Sequence, residues 1–326
     1  MLEVTNASDA EVRDKAIESF IQIKGIGSDK AEKLYEAGYM TLKDIAVASP
    51  GDFIERTGMS KKAAETIIQN AKGLCNIGEI IKATEKLDRE SQEVRLRIGN
   101  SDMDELVGGG LRPGLITEIH GENGSGKTQT CLTYAAIATR PIEEGGLDGC
   151  VVYIDTENTF SANRLKQIAS SRGFDPDETL DKVYVACAHN TSDLILNMDK
   201  IRELSAQVPV KLIIVDSIIS HFRAEFVGRG ALAERQQLLN RYIAELSTFA
   251  ESNDAVVIVT NQLMARPDIL FGDPNAPTGG HIVGHACAYR LYIRKGKTGK
   301  RVIRLVKAPD CENGEAVVNV TEKGIC

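Results

Sequence analysis

The chain has 326 residues and contains no tryptophan, 5 histidines and 5% aromatic residues in all. It has no apolar run approaching the ~18 residues of a membrane span. Residues 1–16 are polar and acidic, without the apolar centre of a secretory leader, so none is expected. The 7 cysteines, at 75, 131, 150, 187, 287, 311 and 326, are odd in number and scattered, and no C-x-x-C occurs. A disulfide framework and a zinc site are therefore not expected, and free thiols in a reducing cytosol are. An excess of positive charge is also missing. The net charge of -7 argues against nonspecific nucleic-acid binding by the whole surface, although a local basic groove remains compatible with it.

What is present is ordinary globular material: 42% hydrophobic and 26% charged residues, enough for a sizeable core, in a length that suits two domains. Residues 1–72 carry helical spacing only, as in Ala16, Ile17, Phe20 and Ile21 and again in Ala63, Ala64, Ile67 and Ile68. Glycine breaks punctuate them at Gly25, Gly27, Gly38, Gly51 and Gly58. Four or five short helices are expected there. Residues 73–97 are polar and of mixed charge, which suits a linker or an exposed helix. From residue 98 the style changes. Apolar runs at 115–119, 151–154, 183–186, 212–215 and 256–259 alternate with helical segments near 127–139, 161–171, 192–206 and 232–251. That alternation predicts a largely parallel sheet covered on both faces. After 285, close-spaced strands at 289–294, 301–306 and 316–320 predict antiparallel hairpins at the sheet edge.

The chemistry concentrates in the run Gly121, Glu122, Asn123, Gly124, Ser125, Gly126, Lys127, Thr128, which satisfies G-x-x-x-x-G-K-[ST] between a predicted strand and a predicted helix. Glycines there let backbone N–H groups surround phosphate oxygens, and the helix adds its positive end. Lys127 would reach the β- and γ-phosphates of ATP, and the Thr128 hydroxyl would ligate Mg²⁺. Asp216 ends the run 212–215 and is read either as a carboxylate holding the Mg²⁺ shell or as a cap of the next segment. Glu157 follows the run 151–154 and is either the residue that deprotonates water or a solvated strand-end acid. Gln262 follows 256–259 and could sense the γ-phosphate or simply end a strand. His281 and His285 stand four apart, but no third ligand suggests a metal.

Taken together, GENGSGKTQ at 121–129, VVYIDTENTF at 151–160, LIIVDS at 212–217, HFRAEFVGRGALAERQ at 221–236, TNQLMARPD at 260–268, FGDPNAPTGGHIVGH at 271–285 and RLYIRKGKTGKR at 290–301 resemble the RecA/RadA recombinase family, in its archaeal branch. The resemblance covers nearly the whole chain. It implies an α/β fold: a RecA-type P-loop ATPase core with a largely parallel sheet at 98–326, a linker with a polymerisation motif at 73–97, and a small all-helical helix-hairpin-helix DNA-binding domain at 1–72. It implies an ATP- and Mg²⁺-dependent DNA recombinase, cytoplasmic and nucleoid-associated, that forms filaments on single-stranded DNA and exchanges strands with a duplex. The alternative is a relative that regulates such filaments without exchanging strands. By the same match Glu157 and Lys127 are catalytic and Gln262 couples ATP to the DNA loops, while Arg164 and Gln167 lie near the adenine. Arg223, Arg229 and Arg235 contact DNA from a first loop at about 220–235. A second loop at about 264–284 carries His281. Without the resemblance, a solvated charged helix start is the likelier reading of the three arginines.

In the N-terminal segment, Gly25, Gly27 and Lys30 resemble the helix-hairpin-helix phosphate site, with a weaker copy at 57–62; a plain helix–helix turn is the other reading. Three departures stand out. Asn123 and Asn158 occupy positions where the family has an aromatic and a glycine. The linker reads Ile80-x-x-Ala83 where the family has Phe-x-x-Ala, which should weaken the subunit contact by ~1 kcal/mol. Lys307 stands where an aspartate helps to hold a monovalent cation beside the γ-phosphate, so the ammonium is expected to replace that cation.

Overall fold

The computed structural model describes residues 9–75, 77–78, 80–228, 230–265, 275–277 and 280–326. Contacts divide the chain into two compact units, Met1–Gln92 with Met198–Pro209, and Glu93–Asn197 with Val210–Cys326.

The first unit contains five short helices up to Leu74: α1 (Asp9–Ile21), α2 (Ser28–Glu36), α3 (Leu42–Val47), α4 (Pro50–Thr57) and α5 (Lys61–Leu74). Their ends are written locally. Thr41 and Asp44 form a reciprocal capping box at α3. Ser49 caps α4 ahead of Pro50, and Ser60 caps α5. Gly58 closes α4 in the left-handed conformation, φ 66°, which glycine enters without steric cost. The buried faces carry Phe20, Ile23, Leu34, Ile45, Phe53, Ala64 and Ile67 into one small core. The polar segment that follows holds a helix, α6 (Ala83–Ser91), with no buried residue.

The second unit starts at Glu93, ahead of the expected residue 98, because Leu96 pairs with Leu111 and both Leu96 and Ile98 are fully buried in its core. A short helix, α7 (Ser101–Leu106), precedes the sheet. Its strands and helices then alternate: β1 (Ile116–Gly121), α8 (Lys127–Ala138), β2 (Cys150–Asp155), α9 (Ala162–Arg172), α10 (Pro176–Asp181), β3 (Val183–Cys187), α11 (Thr191–Ser205), β4 (Val210–Asp216), α12 (Ser220–Glu225), α13 (Leu232–Asn253) and β5 (Val256–Ala265). Beyond these lie β6 (Asn275–Pro277), α14 (Gly280–Ala286), β7 (Tyr289–Lys295), β8 (Arg301–Lys307), β9 (Glu315–Val318), β10 (Val320–Thr321) and β11 (Gly324–Ile325).

The sheet runs β3-β2-β4-β5-β1-β7-β8-β9, with β6 paired to β5 off that path. Every pairing from β3 to β7 is parallel, and β7, β8 and β9 are antiparallel. The continuous apolar runs read from sequence are strands buried on both faces, as a helix-covered parallel sheet requires. The order matters for function. β5 separates β1 from β4, and because all three are parallel the segments leaving their carboxyl ends emerge at the same end of the sheet. Among the described residues no helix is long and apolar enough to cross a membrane, and all 7 cysteines are free.

Candidate active site

β1 ends at Gly121 and α8 begins at Lys127, so the glycine-rich run is the turn between them. Its glycines answer to different demands. Gly124 and Gly126 have φ of 69° and 116°, outside the range of ordinary side chains. At Gly121 a Cβ would stand 2.2 Å from the Ile293 carbonyl oxygen. Gly124 and Gly126 therefore supply backbone that side chains disfavour, and Gly121 lies too close to β7 to carry one. Ser125 is buried within the turn, while Glu122 and Asn123 are exposed.

Lys127 Nζ donates to the carbonyls of Gly121 (3.0 Å) and Glu122 (3.1 Å), folding the ammonium over the loop. Burial lowers its pKa from the usual lysine range, and the nearby Asp216 and Glu157 carboxylates oppose that shift. Thr128 Oγ1 donates to Asp216 Oδ2 at 2.7 Å. Tyr153 OH donates to the same oxygen at 2.7 Å, and the Thr260 hydroxyl donates to Oδ1. Asp216 is 4% exposed. Three hydroxyls from α8, β2 and β5 thus offset the cost of burying its charge. Asp216 does not act as a helix cap, since α12 begins later, at Ser220 after Ile219. Thr128 and Asp216 thus bring together a hydroxyl and a carboxylate, oxygen donors of the type that hard divalent cations take.

Glu157 lies two residues past β2. The Asp155 carboxylate accepts the backbone N–H of Glu157 (3.1 Å) and of Phe160 (2.7 Å), which shapes the turn between them. Asn158, inside that turn, has φ 54°, a conformation asparagine tolerates in place of glycine. Glu157 Oε1 accepts from Ser217 Oγ at 2.9 Å and from Gln262 Nε2 at 2.8 Å. The turn after β2, the end of β4 and the strand β5 thereby meet at one carboxylate oxygen. Sequence reasoning missed Ser217, Tyr153 and Thr260 at this site; their only signal was position at strand ends or next to Asp216.

Arg164 is held on every side. Its Nε donates to Gln129 Oε1 (2.8 Å) and its Nη1 to Gln167 Oε1 (2.5 Å). Nη1 also reaches the Glu322 carbonyl (3.3 Å), and Nη2 donates to that of Thr321. The expected pair Arg164 and Gln167 is thus brought together beside α8, with Gln129 and the β10–β11 turn as further partners. Lys307 Nζ donates to the carbonyls of Gly284 (3.0 Å), His285 (3.2 Å) and Cys287 (2.8 Å). It occupies the carboxyl end of α14, where a cation is stabilised by the helix dipole.

Of the expected DNA contacts, Arg223 is exposed on α12 and Arg235 is half-buried at the start of α13. Arg229, the second loop at 266–274 and 278–279, and the side chain of His281 lie outside the described residues. A groove of about 380 Å³ between α13 and α14 is lined by Ala233, Gln236, Gln237, Asn240 and Ile282, an amide-rich set that sequence reasoning did not single out.

In the helical unit, Gly25 has φ 93°, and Lys30 Nζ turns back onto its carbonyl at 3.1 Å. Gly27 precedes α2 at φ -103°, a value open to any residue, and nothing lies within 4 Å of where its Cβ would be. No packing or strain within the chain calls for glycine there. Ile80 is 99% exposed, and Ala83 is exposed as well.

The family model described as Rad51 matches residues 89–326. A second, described as a SAM-like helix-hairpin-helix tandem, matches residues 17–72. A protein of Aeropyrum pernix named DNA repair and recombination protein RadA is 42% identical over 312 residues, covering 95% of this chain and 97% of its own length.

Proposed function

The chain belongs to the Rad51 family of RecA/RadA recombinases, and from that premise we propose that it is a DNA-dependent ATPase that assembles on single-stranded DNA and pairs it with a homologous duplex. The observation that carries this reading is that two pairs remote in sequence, Thr128–Asp216 at 2.7 Å and Gln262–Glu157 at 2.8 Å, meet at the carboxyl ends of the parallel strands, with Lys127 close enough to feel both carboxylates. A charge-dense anion fits the glycine-rich turn at the start of α8, and a divalent cation fits the Thr128–Asp216 oxygen pair.

In this reading the backbone N–H groups of 121–126 and the Lys127 ammonium bind the phosphates of ATP. Thr128 and Asp216 would hold Mg²⁺, which when bound would offset phosphate charge. Glu157 accepts a proton from the attacking water. Gln262, hydrogen-bonded to Glu157 without phosphate, would exchange that partner for the γ-phosphate and so report nucleotide state along β5. Arg164, fixed by Gln129 and Gln167, presents a planar face for the base.

DNA contacts would come from Arg223, Arg229 and Arg235 in the first loop, His281 and its neighbours in the second, and Gly25, Gly27 and Lys30 in the helical unit. Gly27 supports the last assignment, since the open space at its Cα suits close approach of a phosphate to the helix start. These contacts hold backbone rather than read bases, leaving sequence recognition to strand pairing. Self-assembly would use Ile80 and Ala83. The exposed edge of β3, with Tyr184, Val185 and nearby Leu196, offers an apolar surface to a second copy. We place the protein in the cytoplasm with the nucleoid.

The test is strand exchange with purified protein, an oligonucleotide, a homologous duplex, ATP and Mg²⁺, with Lys127→Ala as control. Joint molecules that require ATP and vanish in the variant are expected. Intact ATP and DNA binding without joint molecules would favour an accessory relative that regulates filaments, the reading that the smaller Ile80 contact keeps in play.

A further inference from the structure

The Glu157 carboxylate receives two arms, and only one of them, Gln262 on β5, is absorbed by the function above. The other runs through Ser217. Ser217 Oγ donates to Glu157 Oε1 at 2.9 Å. The backbone of Ser217 is gripped on both sides by one hydroxyl: its N–H donates to Thr156 Oγ1 (2.8 Å), and its carbonyl accepts from Thr156 Oγ1 (3.0 Å). Thr156 Oγ1 also meets Ser220 Oγ at 2.8 Å. A hydroxyl has one proton and two acceptor positions. With its proton on the Ser217 carbonyl, Thr156 has acceptor capacity left for the Ser217 N–H and the Ser220 hydroxyl, so Ser220 is the donor. The chain of donors has a direction, from Ser220 to Thr156 to the Ser217 backbone, and every capacity of the Thr156 hydroxyl is used.

Ser220 is the first residue of α12, which carries Arg223. The remainder of α12 has few other attachments. His221 Nε2 meets the Ala188 carbonyl at 2.7 Å, and Phe222 is buried against Tyr242. At the far end the Glu225 carboxylate accepts the backbone N–H of Thr191 at 2.6 Å and its hydroxyl as well. α12 is therefore a short rigid peg, tied to Thr156 at its start and to the beginning of α11 at its end. Past it the chain leaves the packed body: Val227 is 76% exposed.

We propose that the Thr156–Ser220 hydroxyl pair is a positioning link that carries the state of the Glu157 carboxylate to the first DNA loop, through Ser217 and α12, independently of the Gln262 arm. The inference rests on the ATP-binding reading of the site. When bound nucleotide and its water move the Glu157 carboxylate, the Ser217 hydroxyl follows its acceptor. The Ser217 backbone shifts with it, Thr156 cannot rotate without breaking two backbone bonds, and the displacement reaches Ser220. Thr156 and Ser217, the middle of the chain, are buried with their hydrogen bonds made, and such a pair has few alternative arrangements, which is what lets it transmit a small movement. One carboxylate oxygen would then set both loops, one from β4 and one from β5.

The absence of tryptophan from the chain supplies the probe. Val227→Trp in the full chain places a single indole in the first loop. Ile80→Ala in the same chain, with light scattering followed, holds assembly constant. Titration with a β,γ-imido ATP analogue and Mg²⁺, without DNA, should shift the indole emission, while calorimetry gives the nucleotide affinity. Adding Ser220→Ala should leave that affinity within about twofold and cut the emission shift to less than a third; Ser220→Thr, which keeps the hydroxyl, should restore it. A loss of packing alone would not couple emission to nucleotide in this pattern. A full shift in the Ser220→Ala chain would overturn the link, as would no shift in the parent despite bound nucleotide. Failure of the parent to bind nucleotide would instead overturn the ATP reading, and the link with it.

Discussion

Glu157 and Gln262 stand 105 positions apart and meet at 2.8 Å, the Gln262 amide donating to the carboxylate oxygen that Ser217 also occupies. In the function proposed, these two donors orient the carboxylate that would activate water. Glu157→Gln keeps the size of the side chain and removes its basicity. Turnover of ATP should fall by on the order of 10²-fold or more, with nucleotide affinity within a few-fold of the parent. Gln262→Ala should spare much of the turnover without DNA and reduce its stimulation by single-stranded DNA. Steady-state hydrolysis with and without an oligonucleotide separates the two; equal loss in both conditions for Gln262→Ala would remove its role as a coupler.

The parts of this site that could be read from sequence are those in which a single short run carries the geometry. Gly121 to Thr128 declares itself because the spacing, the preceding strand and the following helix all belong to one stretch. The strands were legible because a helix-covered parallel sheet makes them uniformly apolar. Asp216 was visible but ambiguous, since an acid at a strand end serves many purposes. Its three hydroxyl partners, on α8, β2 and β5, come together only through the strand order, which no local pattern encodes. The same holds for the Thr156–Ser220 pair and for Gln129 beside Arg164. The early start of the core unit was missed for a different reason: Leu96 and Ile98 are buried, but charged Glu93, Arg95 and Arg97 alternate with them and made the stretch read as linker.

His120, one residue before the phosphate loop, gives the protein a pH dependence of predictable sign. It is buried and stacks on Tyr292 at 5.5 Å; among the described residues its Nδ1 has no hydrogen-bond partner, the Glu118 carboxylate lying 3.7 Å away. Burial pushes its pKa down to about 4; Glu118 opposes the shift, and Arg290 and Lys127 add to it. The unfolded chain, with the ordinary value near 6.5, takes up a proton in the window between the two values while the folded chain does not. Stability therefore falls as pH drops from about 6.5 toward 4 and is unaffected by this group above it. His120→Phe keeps a stacked ring and removes the proton site. Between pH 7 and pH 5 the parent should lose about 2 kcal/mol more than the variant in urea unfolding. Equal losses in both chains would show that His120 titrates freely when folded.

Ile80 is almost wholly exposed on the segment before α6, so its side chain is accessible to a second copy in the proposed assembly. Truncation to alanine removes apolar area worth ~2 kcal/mol at a buried contact, about thirtyfold in the affinity of each subunit contact. Light scattering with ATP, Mg²⁺ and single-stranded DNA should show smaller assemblies for Ile80→Ala at equal protein concentration. Ile80→Phe, which enlarges the buried side chain, should move assembly size the other way. An unchanged size for both variants would exclude Ile80 from the interface.

Lys307 makes the response to monovalent salt a test of what fills the end of α14. Its ammonium donates to three carbonyls, of Gly284, His285 and Cys287, at 2.8–3.2 Å. A covalently attached cation already neutralises this cluster, so a dissolved cation has little to add there. Turnover of ATP should therefore differ by less than about twofold between KCl and NaCl at equal ionic strength, because the helix end is satisfied in both. Lys307→Asp reverses the charge facing those carbonyls. The carboxylate and the helix end then repel, and only a bound cation between them relieves it; hydrolysis should become several-fold dependent on the cation supplied. Lys307→Met removes the charge without reversing it, and should cost about 1 kcal/mol of local stability with little gain in cation dependence. A parent already activated several-fold by KCl over NaCl would mean that the ammonium does not do the work of the cation, and that the three carbonyls exchange Lys307 for a dissolved ion when nucleotide binds.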